Sequence, residues 1–199
     1  MNMSKNILIA SLSLVFSSIF FVINDAIINY LSVNQIEFYH FIFYGSPAYI
    51  AVPLFLFITG NLKKNIICNN YWIPLIRGLI FAPMPFITFI SLKNITLPEF
   101  TTLNMSSPLV GAIYGFFFLK EKLNSFVYIS LAIGFLGVIF VIQPGFDNFN
   151  IYFLVTLLGV LLITTTTTII NKFNTVTTTL GYFLYGGLII HVISFLLFI

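Results

Sequence analysis

The sequence predicts an all-α integral membrane protein, a helical bundle of about seven transmembrane helices. Hydrophobic residues make up 59% of the chain and charged residues only 7%, whereas soluble domains carry about 25% charged residues. The mean hydropathy is +1.08. The apolar residues form long continuous stretches, and the alternating segments of about ten residues that indicate a membrane β-barrel are absent.

Each predicted span follows from its length, because a helix needs about 20 apolar residues to cross the hydrocarbon core. Short polar clusters such as NLKKN and KEKLN separate the spans. Lys5 and the apolar run after it resemble a signal peptide, but the run is too long and no A-x-A site follows, so we expect an uncleaved first helix. Pro83 and Pro85 are expected to bend or break the third span. The seven spans are residues 7–32, 37–59, 71–92, 97–119, 125–143, 151–171 and 178–199.

The basic residues predict the orientation of these spans. Short loops on the cytoplasmic side of a membrane carry an excess of Lys and Arg. A cytoplasmic N-terminus leaves only Lys93 outside and places six lysines inside: Lys5, Lys63, Lys64, Lys120, Lys122 and Lys172. We therefore expect a multi-pass protein of the bacterial cytoplasmic (inner) membrane with its N-terminus inside.

Two short matches, about 142 residues apart, indicate an internal repeat. IINYL at 27–31 aligns with IINKF at 169–173, and FYG at 43–45 aligns with LYG at 184–186. A unit of five helices is odd, so its second copy would be inverted, as in secondary transporters. The predicted domains are a first repeat of five helices, 7–145, and an incomplete second repeat of two helices, 151–199.

Asp25 lies inside the first apolar span and is the main candidate for a functional residue. It belongs to a stripe of polar residues spaced by seven, with Asn29 one turn beyond it; the stripe is Ser11, Ser18, Asp25 and Ser32. Such a stripe faces protein or water rather than lipid, and an acid within the membrane is by default a functional hypothesis. The alternative is a buried acid that only bonds to a neighbouring helix.

Further candidates for a binding site or a lined cavity lie in the third and fourth spans. Arg77 and Thr88 share a face of the third span, and Asn104 and Ser107 share a face of the fourth. Arg77 would be a partner for Asp25, or else an arginine that extends to the cytoplasmic headgroups. Four glycines are expected to serve helix packing instead, because small residues allow close backbone approach; they are Gly111, Gly115, Gly134 and Gly137.

The remaining polar residues are expected to need no function. The five threonines at 164–168 would bond to carbonyls of the preceding helical turn. His40 and His191 are expected to be bonded interior residues rather than metal ligands. No catalytic residues, no metal site and no cofactor are predicted.

The order of several motifs resembles the EamA family of drug/metabolite transporters. These motifs are NDAIINYLS, IRGLIF, LKNITLPEFTTLNMSSPLVGAIYGFFFLKEKL and LAIGFLGVIFVIQPG. The pairs Asn24-Asp25 and Arg77-Gly78, together with Glu121, are most similar to the branch that contains S-adenosylmethionine uptake transporters. The resemblance implies ten helices in two inverted repeats around a central cavity. Two departures stand out: His40 lies where relatives often carry arginine, and the last three helices of the family are missing, as in a C-terminally truncated chain.

We therefore expect a permease that moves a small organic metabolite by alternating access. Amino acids, nucleosides and compounds like S-adenosylmethionine are the expected solutes. A non-transporting remnant or accessory subunit is one alternative, and a membrane-embedded transferase is another. The expected partners are the solute and the lipid bilayer, with no nucleic acid, and a homodimer if 199 residues is the full chain.

Overall fold

The computed structural model describes residues 2–122, 124–142 and 149–199, and those residues contain helices and no strand. The apolar composition and the long uninterrupted stretches explain why helices form, because a helix satisfies its own backbone hydrogen bonds. The helices are α1 (Asn2–Val33), α2 (Phe38–Ile58), α3 (Leu62–Ile66), α4 (Trp72–Phe81), α5 (Met84–Asn94), α6 (Leu97–Asn104), α7 (Ser107–Phe118), α8 (Ser125–Ile142), α9 (Tyr152–Lys172) and α10 (Thr179–Phe198).

The membrane character of the fold is confirmed. Within the described residues, six segments are long and apolar enough to cross a bilayer: Ile7–Val33, Phe38–Ile58, Trp72–Asn94, Ser125–Ile142, Tyr152–Lys172 and Thr179–Phe198. Large apolar side chains cover their outer surfaces; Phe20 is 69% exposed and Phe140 is 77% exposed. A soluble protein rarely shows such extended apolar surface, so the chain is an all-α integral membrane protein.

The third predicted span is broken at its prolines, as the sequence predicts. α4 ends at Phe81 and α5 begins at Met84. A proline has no backbone N–H, so Pro83 and Pro85 cannot donate to the carbonyls of Leu79 and Phe81. Ala82 instead donates to the carbonyls of Gly78 and Leu79 in a tight turn.

The fourth predicted span, 97–119, consists of two helices rather than one. α6 ends at Asn104 and α7 begins at Ser107. Pro108 has no N–H to donate to the Asn104 carbonyl, and the Ser106 hydroxyl donates to the Leu103 carbonyl at 2.6 Å. The predicted end of the fifth span at 143, and the predicted boundary of the first repeat at 145, lie outside the described residues.

Two groups of helices meet along α4, α5 and α9. α9 packs against α4, α5, α6 and α7, while α1 packs against α5 and α6. α10 packs against α2 and α4 on the other side. A buried core lies between α1, α5, α6, α8 and α9. It consists of Ile28, Phe89, Leu92, Ile95, Phe100, Leu103, Ile142 and Phe153.

Hydrogen bonds tie the end of α3 and the loop after it to the segment before α10 and the first turns of α10. We call this set of contacts the clasp. Asn69 N–H donates to the Val176 carbonyl at 3.1 Å. Side chains add four further bonds: Thr178 Oγ1 to Asn65 Oδ1 at 2.7 Å, Thr177 Oγ1 to the Ile67 carbonyl at 3.1 Å, Tyr185 OH to the Ile66 carbonyl at 2.6 Å, and Asn69 Nδ2 to the Thr175 carbonyl at 3.4 Å. The clasp therefore closes the bundle at one end.

Candidate functional site

Asp25 borders a cavity rather than being sealed among packed helices. It lies on α1, is half-buried, and lines the cavity together with Ser18, one of the serines spaced by seven. Ser11 is exposed, and Ser32 is buried and donates to the Asn29 carbonyl at 2.9 Å. The stripe predicted from the sequence therefore follows the cavity over its middle turns only.

The cavity, which we call the Asp25 cavity, has a volume of about 510 Å³. This size lies within the range of pockets that hold small organic molecules. Five helices contribute to its wall, namely α1, α5, α6, α7 and α9. The lining residues are Ser17, Ser18, Phe21, Val22, Asp25, Met84, Thr88, Phe100, Thr101, Asn104, Met105, Ser107, Pro108 and Ile163.

Several polar groups on this wall are not used by the protein itself. Within the described residues, the side chains of Thr88, Asn104 and Ser107 make no hydrogen bond. Thr101 Oγ1 donates to the Pro98 carbonyl at 3.0 Å, which leaves its oxygen lone pairs free to accept. Polar groups inside a membrane protein normally find partners. The unused groups are therefore suited to bind water or a polar solute.

Both helix breaks border this cavity. Met84, the first residue after the Pro83 break, lines it, and Thr88 follows one turn later. Asn104 and Ser107 flank the second break and line it as well. Because Pro108 cannot donate to the Asn104 carbonyl, a backbone acceptor is also left open near the wall. Acid, amide and hydroxyl side chains thus line the same cavity as the non-helical backbone at the two breaks.

Two of the predicted site residues lie elsewhere. Asn29 Nδ2 donates to the Leu92 carbonyl at 2.9 Å, so its amide joins α1 to α5. Arg77 lines a different cavity, between α2, α4, α5 and α10, and the two lining sets share no residue. The structure therefore brings together Asp25, Thr88, Asn104 and Ser107, and it separates Arg77 from them.

The four glycines predicted for packing have different surroundings. A Cβ on Gly134 would meet the Leu109 side chain of α7, and one on Gly111 would lie 3.9 Å from Thr164 Cγ2 of α9. Gly115 faces the side chain of Glu121 instead of a helix, and Gly137 has no neighbour within 4 Å. Of these four glycines, Gly111 and Gly134 therefore lie against a neighbouring helix.

The threonine run behaves as the sequence predicts. All five hydroxyls donate to carbonyls of the preceding turn of α9; for example, Thr164 bonds to Val160 and Thr168 to Thr164, at 2.7 and 2.8 Å. His191 Nδ1 lies 2.7 Å from the Gly187 carbonyl. His40 differs from expectation, because its buried Nδ1 has no hydrogen-bond partner among the described residues.

Some lining residues could not be identified from the sequence. Ser17 and Phe21 lie beside the predicted stripe, and a wider stripe on α1 would have included them. Phe100 and Ile163 carry no polar signal, since apolar residues occur at almost every position of these helices. Only the packing of α6 and α9 reveals their place on the wall.

Comparison with known proteins identifies the family to which the chain belongs. The chain matches the family described as the EamA-like transporter family over residues 4–143, more than two thirds of its length. Neither the search of curated proteins nor the search of solved structures gave a match. The match spans α1 to α8 and includes nearly all residues that line the Asp25 cavity. The protein is therefore a multi-pass membrane protein that belongs to the EamA-like transporter family.

Proposed function

We propose that this protein is a cytoplasmic-membrane permease that moves a small organic metabolite by alternating access, with the Asp25 cavity as the solute site. Membership in a transporter family supports transport as the activity. The main observation in favour of this site is that Asp25 lines the same cavity as residues that flank the two helix breaks. Secondary transporters place their solute sites at such breaks, where backbone groups are free to bind.

The charges on the wall support a solute with a positive group. Asp25 is the one acid among the lining residues, and these include no Lys, Arg or His. A carboxylate in a low-dielectric wall attracts a cation strongly. An amine or sulfonium group on an amino acid, a nucleoside or a compound like S-adenosylmethionine would satisfy it. A coupling proton on Asp25 is the alternative role of the same carboxylate.

The clasp supports a gate for alternating access. It joins the end of α3 and the loop after it to the segment before α10 and the first turns of α10 by hydrogen bonds. Such bonds exchange for bonds to water more readily than packed apolar side chains separate. With the N-terminus in the bacterial cytoplasm, Lys63 and Lys64 place the clasp on the cytoplasmic side. A phosphatase reporter fused near Lys64 should then be inactive, and an active one would reverse this orientation.

Uptake by vesicles that contain the purified protein tests this function. A panel of labelled amino acids, nucleosides and sulfonium compounds identifies the solute, and Asp25→Asn is then compared with the native chain. A hydrogen bond to a charged group contributes about 1.5–3 kcal/mol. The substitution should therefore lower kcat/KM for uptake by about 10- to 100-fold.

Ser11→Ala is the matched control, because Ser11 is on the same helix and in the same stripe but is exposed and outside the cavity lining. We expect native uptake from it. The native protein, Asp25→Asn and Ser11→Ala must give equal yields of membrane-inserted protein. Native uptake kinetics for Asp25→Asn would remove Asp25 from the solute site.

A further inference from the structure

Arg77 has unusually few partners for a charged group within a membrane span. Its Nη1 donates to the Tyr182 carbonyl at 3.4 Å, a long bond, and its buried Nε has no hydrogen-bond partner among the residues that the structure describes. The guanidinium carbon lies 5.0 Å from the centre of the Phe81 ring. In the part of the chain that the structure describes, no carboxylate pairs with Arg77. A guanidinium carries five donors, so most of its binding capacity is unused.

Arg77 borders a cavity of about 450 Å³, which we call the Arg77 cavity. Aromatic side chains form much of its wall: Phe41, Tyr49, Phe81 and Phe183. Met84 and Pro85 are consecutive, yet Met84 lines the Asp25 cavity and Pro85 lines the Arg77 cavity. The start of α5 thus separates an acidic space from a basic one.

His191 supplies a second polar group on the same wall. Its Nδ1 must carry hydrogen, because the Gly187 carbonyl 2.7 Å away can only accept. Tyr49 stacks on the imidazole, with ring centres 4.3 Å apart and an angle of 18°, and its hydroxyl donates to the Leu184 carbonyl. The ring is thereby held in place, while Nε2 makes no hydrogen bond to the described residues.

We propose that the Arg77 cavity is a second binding site, which takes an oxyanion, a carboxylate or a phosphate, attached to an apolar body. Arg77 is the main charge partner, since a guanidinium matches two oxygens of such a group. The aromatic wall receives the apolar part. A soluble organic acid and the headgroup of an anionic lipid share this chemistry. The proposal does not depend on transport through the Asp25 cavity.

Binding is measured as a change in Tm of the protein in nanodiscs of neutral phosphatidylcholine, with benzoate as the soluble probe and benzamide as its uncharged counterpart. A ligand at about a hundredfold of its Kd stabilises by RT ln(1 + [L]/Kd). For a chain of this length the Tm should rise on the order of 5 °C. Benzamide should give no rise.

A second set of nanodiscs contains phosphatidylglycerol, which identifies the source of the oxyanion. A Tm increase with benzoate indicates an organic acid, and one with phosphatidylglycerol alone indicates a lipid headgroup. Either increase should disappear in Arg77→Gln and persist in Asp25→Asn, whose substitution lies in the other cavity. No rise in either arm, or equal rises in the native protein and Arg77→Gln, would overturn the proposal.

Gly45→Phe provides an independent variant in case Arg77→Gln does not fold. Gly45 lines the Arg77 cavity, and a Cβ built there meets no atom of the described residues within 4 Å. The phenyl ring should fill the cavity and abolish the Tm increase while Arg77 remains in place. A full increase in this variant would show that the probe binds elsewhere.

Discussion

Asp25 and Asn104 line the same cavity, although they lie on different predicted spans and far apart in the chain. Asp25 is in the continuous helix α1, whereas Asn104 is the last residue of α6, directly before a break. The amide makes no hydrogen bond to the described residues. An acid on a continuous helix thus shares a cavity with an unbonded amide at a helix break.

Pro108→Ala should make the protein more stable and less active. Alanine restores the N–H that can donate to the Asn104 carbonyl, so α6 and α7 can join into one helix. Alanine is favoured over proline inside a helix by about 3 kcal/mol, and the greater freedom of the unfolded chain offsets about 0.4–1 kcal/mol of this, so we expect a net gain of about 1–2 kcal/mol in unfolding free energy. Uptake should fall, because the restored bond occupies a carbonyl at the cavity. The measurements are Tm in detergent and uptake in vesicles.

Pro98→Ala is the control for that substitution. Pro98 is within the first turn of α6, where a helix needs no N–H from it. It should leave uptake at the native rate. Native uptake in Pro108→Ala as well would show that the second break has no part in transport.

Locking the clasp should stop transport. The backbone bond from Asn69 N–H to the Val176 carbonyl brings the two residues next to each other, and a disulfide needs Cα atoms about 4.4–6.8 Å apart. In a Cys68→Ala background, Asn69→Cys with Val176→Cys should form a disulfide on oxidation. Uptake should fall to background, because the end of the bundle held by the clasp cannot open, and it should recover after reduction.

Each single cysteine variant, oxidised in the same way, controls for damage by the oxidant. These variants should keep native uptake before and after treatment. A fully formed disulfide that leaves uptake unchanged would mean that the clasp is permanent structure and does not open as a gate.

Gly78→Ala should destabilise the contact between α4 and α10. A Cβ on Gly78 would lie 2.9 Å from the Gly186 Cα, which is backbone and cannot rotate away. Such overpacking costs about 1–3 kcal/mol, or a decrease in Tm of about 2–4 °C for each kcal/mol. Gly45→Ala is the control, since in the described part of the chain no atom lies within 4 Å of its Cβ position. An unchanged Tm in Gly78→Ala would show that the helices separate easily there.

The helical fold and much of the site follow from the sequence. Span length sets the crossing segments, and the missing N–H of Pro83 sets the break in the third span. Helical spacing placed Asp25, Thr88, Asn104 and Ser107 on inward faces, and the structure gathers these four around one cavity. Pro108 carries the same breaking signal as Pro83, yet one span is expected over residues 97–119 where the structure has two helices.

The sequence does not show which helix faces pack against each other. Spacing shows that Arg77 lies on one side of its helix, but not which helix packs there. α10 fills that side and gives Arg77 the Tyr182 carbonyl instead of a carboxylate. Similarly, FYG and LYG are matching motifs, yet Gly186 packs against Gly78 while Gly45 has open space. Such differences depend on neighbours far away in the chain.

Access of water to the Asp25 cavity is tested most directly by labelling a cysteine in its wall. In a Cys68→Ala background, Ser107→Cys is treated in vesicles with a charged, water-soluble thiol reagent. Ile133→Cys is the lipid-facing control, because Ile133 lies on the apolar surface of α8 and is 64% exposed. Thiolate forms only where water reaches the sulfur, so Ser107→Cys should react at least about tenfold faster. Equal, slow reaction at both positions would show a dry cavity and would remove the basis for solute passage beside Asp25.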